Sequence, residues 1–248
     1  MGIIELSNKS FLVTGASSGI GRETALVLSQ QGARVIMLDL NEKGLEETIS
    51  MMVGTRHLAK ACDLTDFDAL HTIVVDIIKK NGPIDGFVHC AGISSRKPLN
   101  VLKAKGFQKL MDVNFYSFVE LTRQLTKKGN MNNGGSIVVM SSISSIKGYK
   151  AKTEYCTSKA SVDAFVRCMA LELAPKKIRI NSIMPGEVLT PLGIKGRQIN
   201  EQAGATIIEQ PLGPSEPYEI ANTIAFLLSD ATKTITGTSI IIDGGATI

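Results

Sequence analysis

Phe11-Leu12-Val13-Thr14-Gly15-Ala16-Ser17-Ser18-Gly19-Ile20-Gly21 decides the fold. A short apolar run enters three glycines, and a helical pattern follows at once. Ile20, Ala25, Leu26 and Leu28 are apolar, with Arg22, Glu23, Gln30 and Gln31 between them. Strand, glycine turn and helix N-terminus in succession make a phosphate site, because backbone N–H groups and the positive helix end point at the anion. Glycines let the chain approach a pyrophosphate with no Cβ in the way. Gly15, Ser17, Ser18, Gly19, Ile20 and Gly21 are therefore candidate dinucleotide contacts. The spacing is G-x-x-x-G-x-G, not the commoner G-x-G-x-x-G. A Walker loop needs Lys-Ser/Thr after its last glycine; Arg22-Glu23 stands there, which disfavours a P-loop nucleotidase.

Ala33-Arg34-Val35-Ile36-Met37-Leu38-Asp39 reads as a second buried strand ending in an acid, with Leu40 after it. A carboxylate at that point accepts hydrogen bonds from ribose hydroxyls and repels a 2′-phosphate. Asp39 thus favours NAD(H) over NADP(H). It also stands where a helix N-cap is expected, before Asn41-Glu42-Lys43, and both roles are open.

Farther along, Tyr155 and Lys159 are four residues apart at the start of a helical pattern. Residues i and i+4 share a helix face. A phenol with an ordinary pKa near 10 is a poor acid/base at neutral pH, and a neighbouring cation is expected to pull that value down. A solvated surface pair is the alternative, and the upstream glycine loop weighs against it.

Strand-like runs alternate with helical patterns throughout. Strands are expected near 9–14, 34–39, 57–62, 85–90, 135–141, 178–183 and 238–242, and helices near 19–31, 41–53, 66–80, 103–128, 154–174 and 216–229. The strand runs are rich in Val and Ile and do not alternate, as for strands covered on both faces. The pattern predicts a single α/β domain over 1–248, a doubly wound parallel sheet of about seven strands with helices on both faces. Ligands then bind at the carboxyl ends of the strands.

The 248 residues contain no linker-like stretch and no charge block. No run approaches the ~18 apolar residues of a membrane span. The first residues lack the basic and apolar regions of a signal peptide, and Leu6 argues against myristoylation. A net charge of +4, scattered, gives nucleic-acid binding little support. Cys62, Cys90, Cys156 and Cys168 form no metal spacing with the three histidines. They fit a reducing, cytoplasmic setting, and no metal is expected.

Together these residues resemble the short-chain dehydrogenase/reductase family over essentially the whole chain. The likeness rests on Thr14-Gly15 with Gly19-Ile20-Gly21, Asp63-Leu64, Ala91-Gly92, Asn114, Ser142, Tyr155-x-x-x-Lys159, Pro185-Gly186 with Thr190, and Asp243-Gly244-Gly245. Ser142 lies thirteen residues before Tyr155, the separation that family uses. The resemblance implies an enzyme interconverting a ketone and a secondary alcohol by hydride transfer. Tyr155 would be the acid or base, and Ser142 would polarise the carbonyl. Lys159 would lower the tyrosine pKa and bind the nicotinamide ribose; Asn114 would bend its helix and hold a relay water, unless it faces solvent. Asp63 with Leu64 would meet the adenine, or Asp63 would cap a helix. Ala91-Gly92 would pack on the adenine-side ribose. Pro185, Gly186, Val188 and Thr190 would flank the nicotinamide, with Thr190 on the carboxamide.

Ser141, Ser144 and Ser145 read as turn residues. The family's usual Asn-Asn before Ala-Gly is replaced by His89-Cys90, and His89 reads as a hydrogen-bonded structural residue. Glu187 either lies near the nicotinamide or faces solvent. The stretch 187–212 is expected to be a loop covering the substrate; its Lys195 and Arg197 read as solvated charges more readily than as partners of an acidic substrate. Within the family the overall look is nearest to 3-oxoacyl-acyl-carrier-protein reductases, so the substrate is a small carbonyl or alcohol or a carrier-bound acyl chain. Asp39, and Glu172 where those reductases carry a basic residue, count against the carrier. NAD-dependent sugar, polyol or cyclic-alcohol dehydrogenases are the alternative, and a non-catalytic NAD sensor is the rival of another class. The resemblance also implies a homo-oligomer, dimer or tetramer, through the helices of Asn114 and Tyr155. Val162, Phe165, Val166, Met169 and Ala170 are either that face or core.

Overall fold

The structure, a computed structural model, describes residues 4–202 and 209–248. Seven strands form one parallel sheet: β1 (Ser10–Thr14), β2 (Arg34–Asp39), β3 (Leu58–Ala61), β4 (Ile84–His89), β5 (Met131–Met140), β6 (Arg179–Pro185) and β7 (Ser239–Ile242). Their order is β3-β2-β1-β4-β5-β6-β7. Winding runs outward from β1 one way and from β4 the other, so the switch point lies at the carboxyl ends of β1 and β4. The helices are α1 (Gly19–Gln30), α2 (Glu42–Met51), α3 (Phe67–Asn81), α4 (Ala104–Met111), α5 (Ser117–Leu125), α6 (Thr153–Leu173), α7 (Pro191–Gln202) and α8 (Pro217–Leu228).

Successive strand residues point to opposite faces, and both faces are covered. Phe11 and Val13 pack with Ala25 and Leu28 of α1 and Ile224 and Ala225 of α8. Leu12 belongs to the other face, with Phe87, Ile137, Phe118 and Leu121 of α5, and Val162 and Val166 of α6. This two-sided burial is why the strand sequences read as unbroken apolar runs. The edge strands depart from that expectation: β3 is largely exposed and β7 only partly covered. Val162, Val166 and Ala170 are core, with Phe165 and Met169 packed against them.

Two helical expectations need correction. The run 103–128 is not one helix: α4 and α5 are joined by a π-helical turn over Asp112–Tyr116. The extra residue in that turn swings Asn114 inward, where its amide binds backbone instead of disturbing a regular helix. The stretch 187–212 is not simply a loop, because it contains α7. Pro191 sits at the first helical position, where its missing N–H costs nothing. Thr190 Oγ1 accepts from Gly193 N at 3.0 Å and so caps the turn. Residues 203–208 of that stretch lie outside the described residues. No described helix is long and apolar enough to cross a membrane.

Candidate active site

Two joined cavities open at the carboxyl end of the sheet. The larger, about 850 Å³, runs from the glycine loop past the ends of β2, β3 and β4 to Thr190. Gly15, Ser17, Ser18, Gly19, Ile20, Gly21, Asp39, Leu40, Asp63, Leu64, Ala91, Gly92 and Thr190 all line it. The smaller, about 190 Å³, is lined by Ser142, Tyr155, Lys159, Pro185, Gly186, Val188 and Thr190, among others. Ile20, Cys90, Gly92, Thr190 and Leu192 belong to both. A long cavity thus feeds a short one at the switch point.

The long cavity fits a dinucleotide. Ser18 is the N-cap of α1, but its side chain caps no N–H, and the first turn carries no acid. The amides at that end are left to an anionic ligand. Gly15 has φ +68°, and a Cβ there would lie 2.7 Å from Ala91 N, so only glycine lets the two loops close on one another. Asp39 is not the cap of α2; Asn41 is, accepting from Gly44 N at 3.1 Å. Instead Asp39 accepts from Ser17 N at 3.1 Å and Asn41 N at 2.9 Å, which fixes its carboxylate in the cavity wall beneath the glycine loop. Asp63 likewise caps no helix, since Asp66 caps α3. Asp63 accepts from Thr65 N and Oγ1, and these bonds hold its carboxyl below the usual range.

In the short cavity Ser142 stands two residues past the end of β5 and accepts from Ser144 N at 3.1 Å. Lys159 Nζ lies 5.8 Å from the centroid of the Tyr155 ring. It donates to Met140 O at 2.7 Å. Burial lowers the Lys159 pKa to about 8, against the opposing pull of Asp163 and Cys90. The expected depression of Tyr155 is not found. Burial raises its pKa, and the hydrogen bond with Ser142 offsets that only in part. The ammonium is engaged by the strand carbonyl, not by the phenol oxygen, which is why the proximity read from i and i+4 does not translate into a lowered value.

Asn114 is fully buried, which rules out a solvent-facing role. Its Oδ1 accepts from Ile93 N at 2.8 Å, and Nδ2 donates to Ile93 O at 2.9 Å and Ser158 Oγ at 3.0 Å. It fastens the segment that follows Gly92 to the helix carrying Tyr155. Glu187 lines the short cavity and pairs with Arg197 of α7 at 3.3 Å. Arg197 also meets Glu201 at 3.2 Å, while Lys195 is exposed.

Residues 15–247 match the family model described as "Enoyl-(Acyl carrier protein) reductase". The 3-oxoacyl-[acyl-carrier-protein] reductase FabG of Thermotoga maritima is 34% identical, the match covering 99% of this chain and 100% of that one. The chain belongs to the short-chain dehydrogenase/reductase family. The NAD-dependent glycerol dehydrogenase of Listeria innocua is 33% identical, over 98% of this chain and 95% of its own. A solved structure of an actinorhodin polyketide ketoreductase variant with NADPH superposes with a TM-score of 0.90 at 28% identity, covering 96% and 97% of the two chains. Relatives named as reductases and dehydrogenases make this chain an oxidoreductase of that family.

Set within the short-chain dehydrogenase/reductase frame, His89 is structural. Its Nδ1 meets Thr14 Oγ1 at 2.9 Å and its Nε2 meets Ser117 Oγ at 3.4 Å, joining β1, β4 and α5. Ser117 Oγ donates to Val113 O at 2.7 Å, so this chain of bonds reaches the π turn of Asn114. Burial, then the Lys159 charge, push the imidazole pKa down to about 3. Ser141, read as a turn residue, donates to Asp163 Oδ2 at 2.8 Å. Ser182 Oγ donates to Asp163 Oδ1 at 2.7 Å. Asp163 and Lys152 escaped the sequence reading. The signal was there: they continue the Tyr155–Lys159 face at i+4 and i−3.

Proposed function

We propose that this chain interconverts a ketone and a secondary alcohol with NAD(H), using Tyr155 as the proton donor or acceptor. The observation that carries the reading is the meeting of Ser142, Tyr155 and Lys159 in a short cavity that opens into a dinucleotide-sized one. A bound nicotinamide would supply or accept the hydride. Ser142 then orients the substrate oxygen by hydrogen bonding, as an electrophilic group aimed at developing charge. Tyr155, kept protonated by burial, gives its proton to that oxygen in the reducing direction. Lys159, still mostly charged at neutral pH, stabilises the phenolate left behind. Asn114 acts by holding the backbone at Ile93 and the hydroxyl of Ser158 on one side of that pair. Thr190, at the junction of the cavities, is the group for the carboxamide, with Pro185, Gly186 and Val188 beside the ring and Ala91, Gly92, Asp63 and Leu64 toward the adenine.

The fixed carboxylate of Asp39 supports NAD(H): it can accept from ribose hydroxyls and repels a 2′-phosphate. Similarity to the Thermotoga maritima reductase favours a 3-oxoacyl substrate on a carrier protein. Similarity to the Listeria innocua glycerol dehydrogenase, the small volume beside Tyr155 and Asp39 favour a free, compact substrate. Tyr116 and Leu171, exposed on the α5 end of the π turn and on α6, support assembly of copies through those elements. The test is fluorescence titration of purified protein with NADH and NADPH, followed by turnover on a panel of ketones. Tenfold tighter NADH binding, about 1.4 kcal/mol, with NADH-driven reduction supports the proposal. Preference for NADPH would refute the role given to Asp39.

A further inference from the structure

A cation that is in no ion pair among the described residues stands beside Tyr155. Lys152 lines the short cavity, its Nζ 5.8 Å from the Tyr155 ring centroid and 5.9 Å from that of Tyr149. Lys97 N donates to Ala151 O at 2.7 Å, which sews the segment after Gly92 to the start of α6. That bond brings Arg96 alongside Lys152, close enough that, after burial, the guanidinium is the main influence lowering the ammonium pKa. Neither cation is in an ion pair among the described residues. Glu187 is the carboxylate whose charge acts on Lys152, and it is committed to another cation. Glu187 pairs with Arg197 at 3.3 Å, and Glu154 takes Ser95 Oγ at 2.5 Å and Lys97 at 3.6 Å through Oε2, its Oε1 being buried without a partner.

Two donors in the same neighbourhood are buried without a partner, Arg96 Nε and the Tyr149 hydroxyl. An unpaired buried donor costs about 1–3 kcal/mol, more when charged; neither residue lines the cavity, and Lys152 is the cation that presents its charge there in front of them. The complement of an unpaired ammonium in the cavity wall, with a guanidinium behind it, is an anion that only accepts. A carboxylate meets that need with short, charge-assisted bonds. The cavity of about 190 Å³ is below the ~300–1,000 Å³ of sites for drug-sized ligands, so the anion and the reacting carbon belong to one short molecule.

We propose that Lys152, with Arg96 behind it, binds the carboxylate of the substrate, and that the enzyme acts on a short oxo acid and its hydroxy acid. The inference rests on the reading that Ser142 and Tyr155 hold the substrate carbonyl. The acid group is a spectator: ketone and alcohol differ by two electrons and two protons, exchanged as a hydride with the nicotinamide and a proton with Tyr155. The carboxylate fixes which end of the molecule faces Tyr155 and so which carbon reacts.

The test is calorimetric titration of the enzyme–NAD⁺ complex, in which a ketone binds without turning over. Pyruvate, acetoacetate and levulinate are compared with their methyl esters, which keep the carbonyl and lose the charge. At least one acid is expected to bind tenfold or more tighter than its ester. Lys152→Met should bring that ratio to about one, Lys152→Arg should keep most of it, and NAD⁺ affinity in each variant checks folding. Acids binding no better than esters in the unmodified enzyme, no acid binding at all, or a preference that survives Lys152→Met would overturn the assignment. Tighter binding of dihydroxyacetone phosphate than of every acid would overturn it too. The underlying reading fails separately, through full turnover of the neutral esters by Tyr155→Phe.

Discussion

Acid should unfold this protein through His89. The imidazole is 1% exposed and its pKa is pushed down to about 3, against about 6.5 in an unfolded chain. A histidine whose folded value is lowered contributes no penalty above pH 6.5. Its penalty grows as pH falls from there toward 3, because the unfolded state takes up a proton that the folded state refuses. At pH 5 protonation stabilises the unfolded chain by RT ln(1 + 10^1.5), about 2 kcal/mol, while the folded state gains almost nothing. A folded value one unit higher changes that figure little, since His89 is still neutral at pH 5. Against a typical domain stability of ~5–15 kcal/mol the loss is readily measured. The assay is urea unfolding at pH 7.5 and pH 5, at fixed protein concentration so that any assembly contributes equally. Other groups titrate over the same range, so the quantity of interest is the difference between the natural protein and His89→Asn, which keeps an acceptor for Thr14 and has no proton to take up. The variant should lose about 2 kcal/mol less than the natural protein between the two pH values. Equal losses would refute the reasoning.

Asn114→Ala leaves the N–H and C=O of the partly buried Ile93 without their protein partners, and should cost about 1–3 kcal/mol in urea unfolding as well as most of the turnover. Asp39→Ala removes the acceptor at the ribose and the repulsion of a 2′-phosphate; the NADH-over-NADPH affinity ratio should fall by about tenfold or more in fluorescence titration, about 1.4 kcal/mol. Because burial raises the Tyr155 pKa, the phenolate needed to oxidise an alcohol forms only toward alkaline pH, whereas the protonated form needed for reduction prevails at neutrality. The oxidation rate should therefore climb with pH and the reduction rate should not, as initial rates in both directions will show.

The strand–glycine–helix run at Phe11–Gly21 was legible because three local rules agree there: apolar β propensity, glycine where φ is positive, and helical periodicity after it. Ser142, Tyr155 and Lys159 were legible by spacing, and they do meet in one cavity. What lay outside the sequence was set by tertiary contacts. The π turn at Asn114 follows from the backbone of Ile93, a partner twenty-one residues away. Helix α7 was hidden by Gly193 and Gly196, which depress helix propensity, while its cap depends on one hydroxyl of Thr190. The Tyr155 pKa went the opposite way from the expectation because proximity on a helix face says nothing of burial, or of the Met140 carbonyl that holds Lys159. His89 shows the reverse case: read in the sequence as a hydrogen-bonded structural residue, it links β1, β4 and α5 by hydrogen bonds.

The central claim is that Tyr155 moves the proton in a nicotinamide-dependent carbonyl–alcohol reaction. Its most direct test is Tyr155→Phe, a change of one hydroxyl, with NADH affinity and NADH-driven ketone reduction measured on the same preparation. The account predicts NADH binding within a few-fold of the natural protein and reduction lowered by ~10²-fold or more, the scale of a lost general acid. Undiminished reduction by the variant would contradict it.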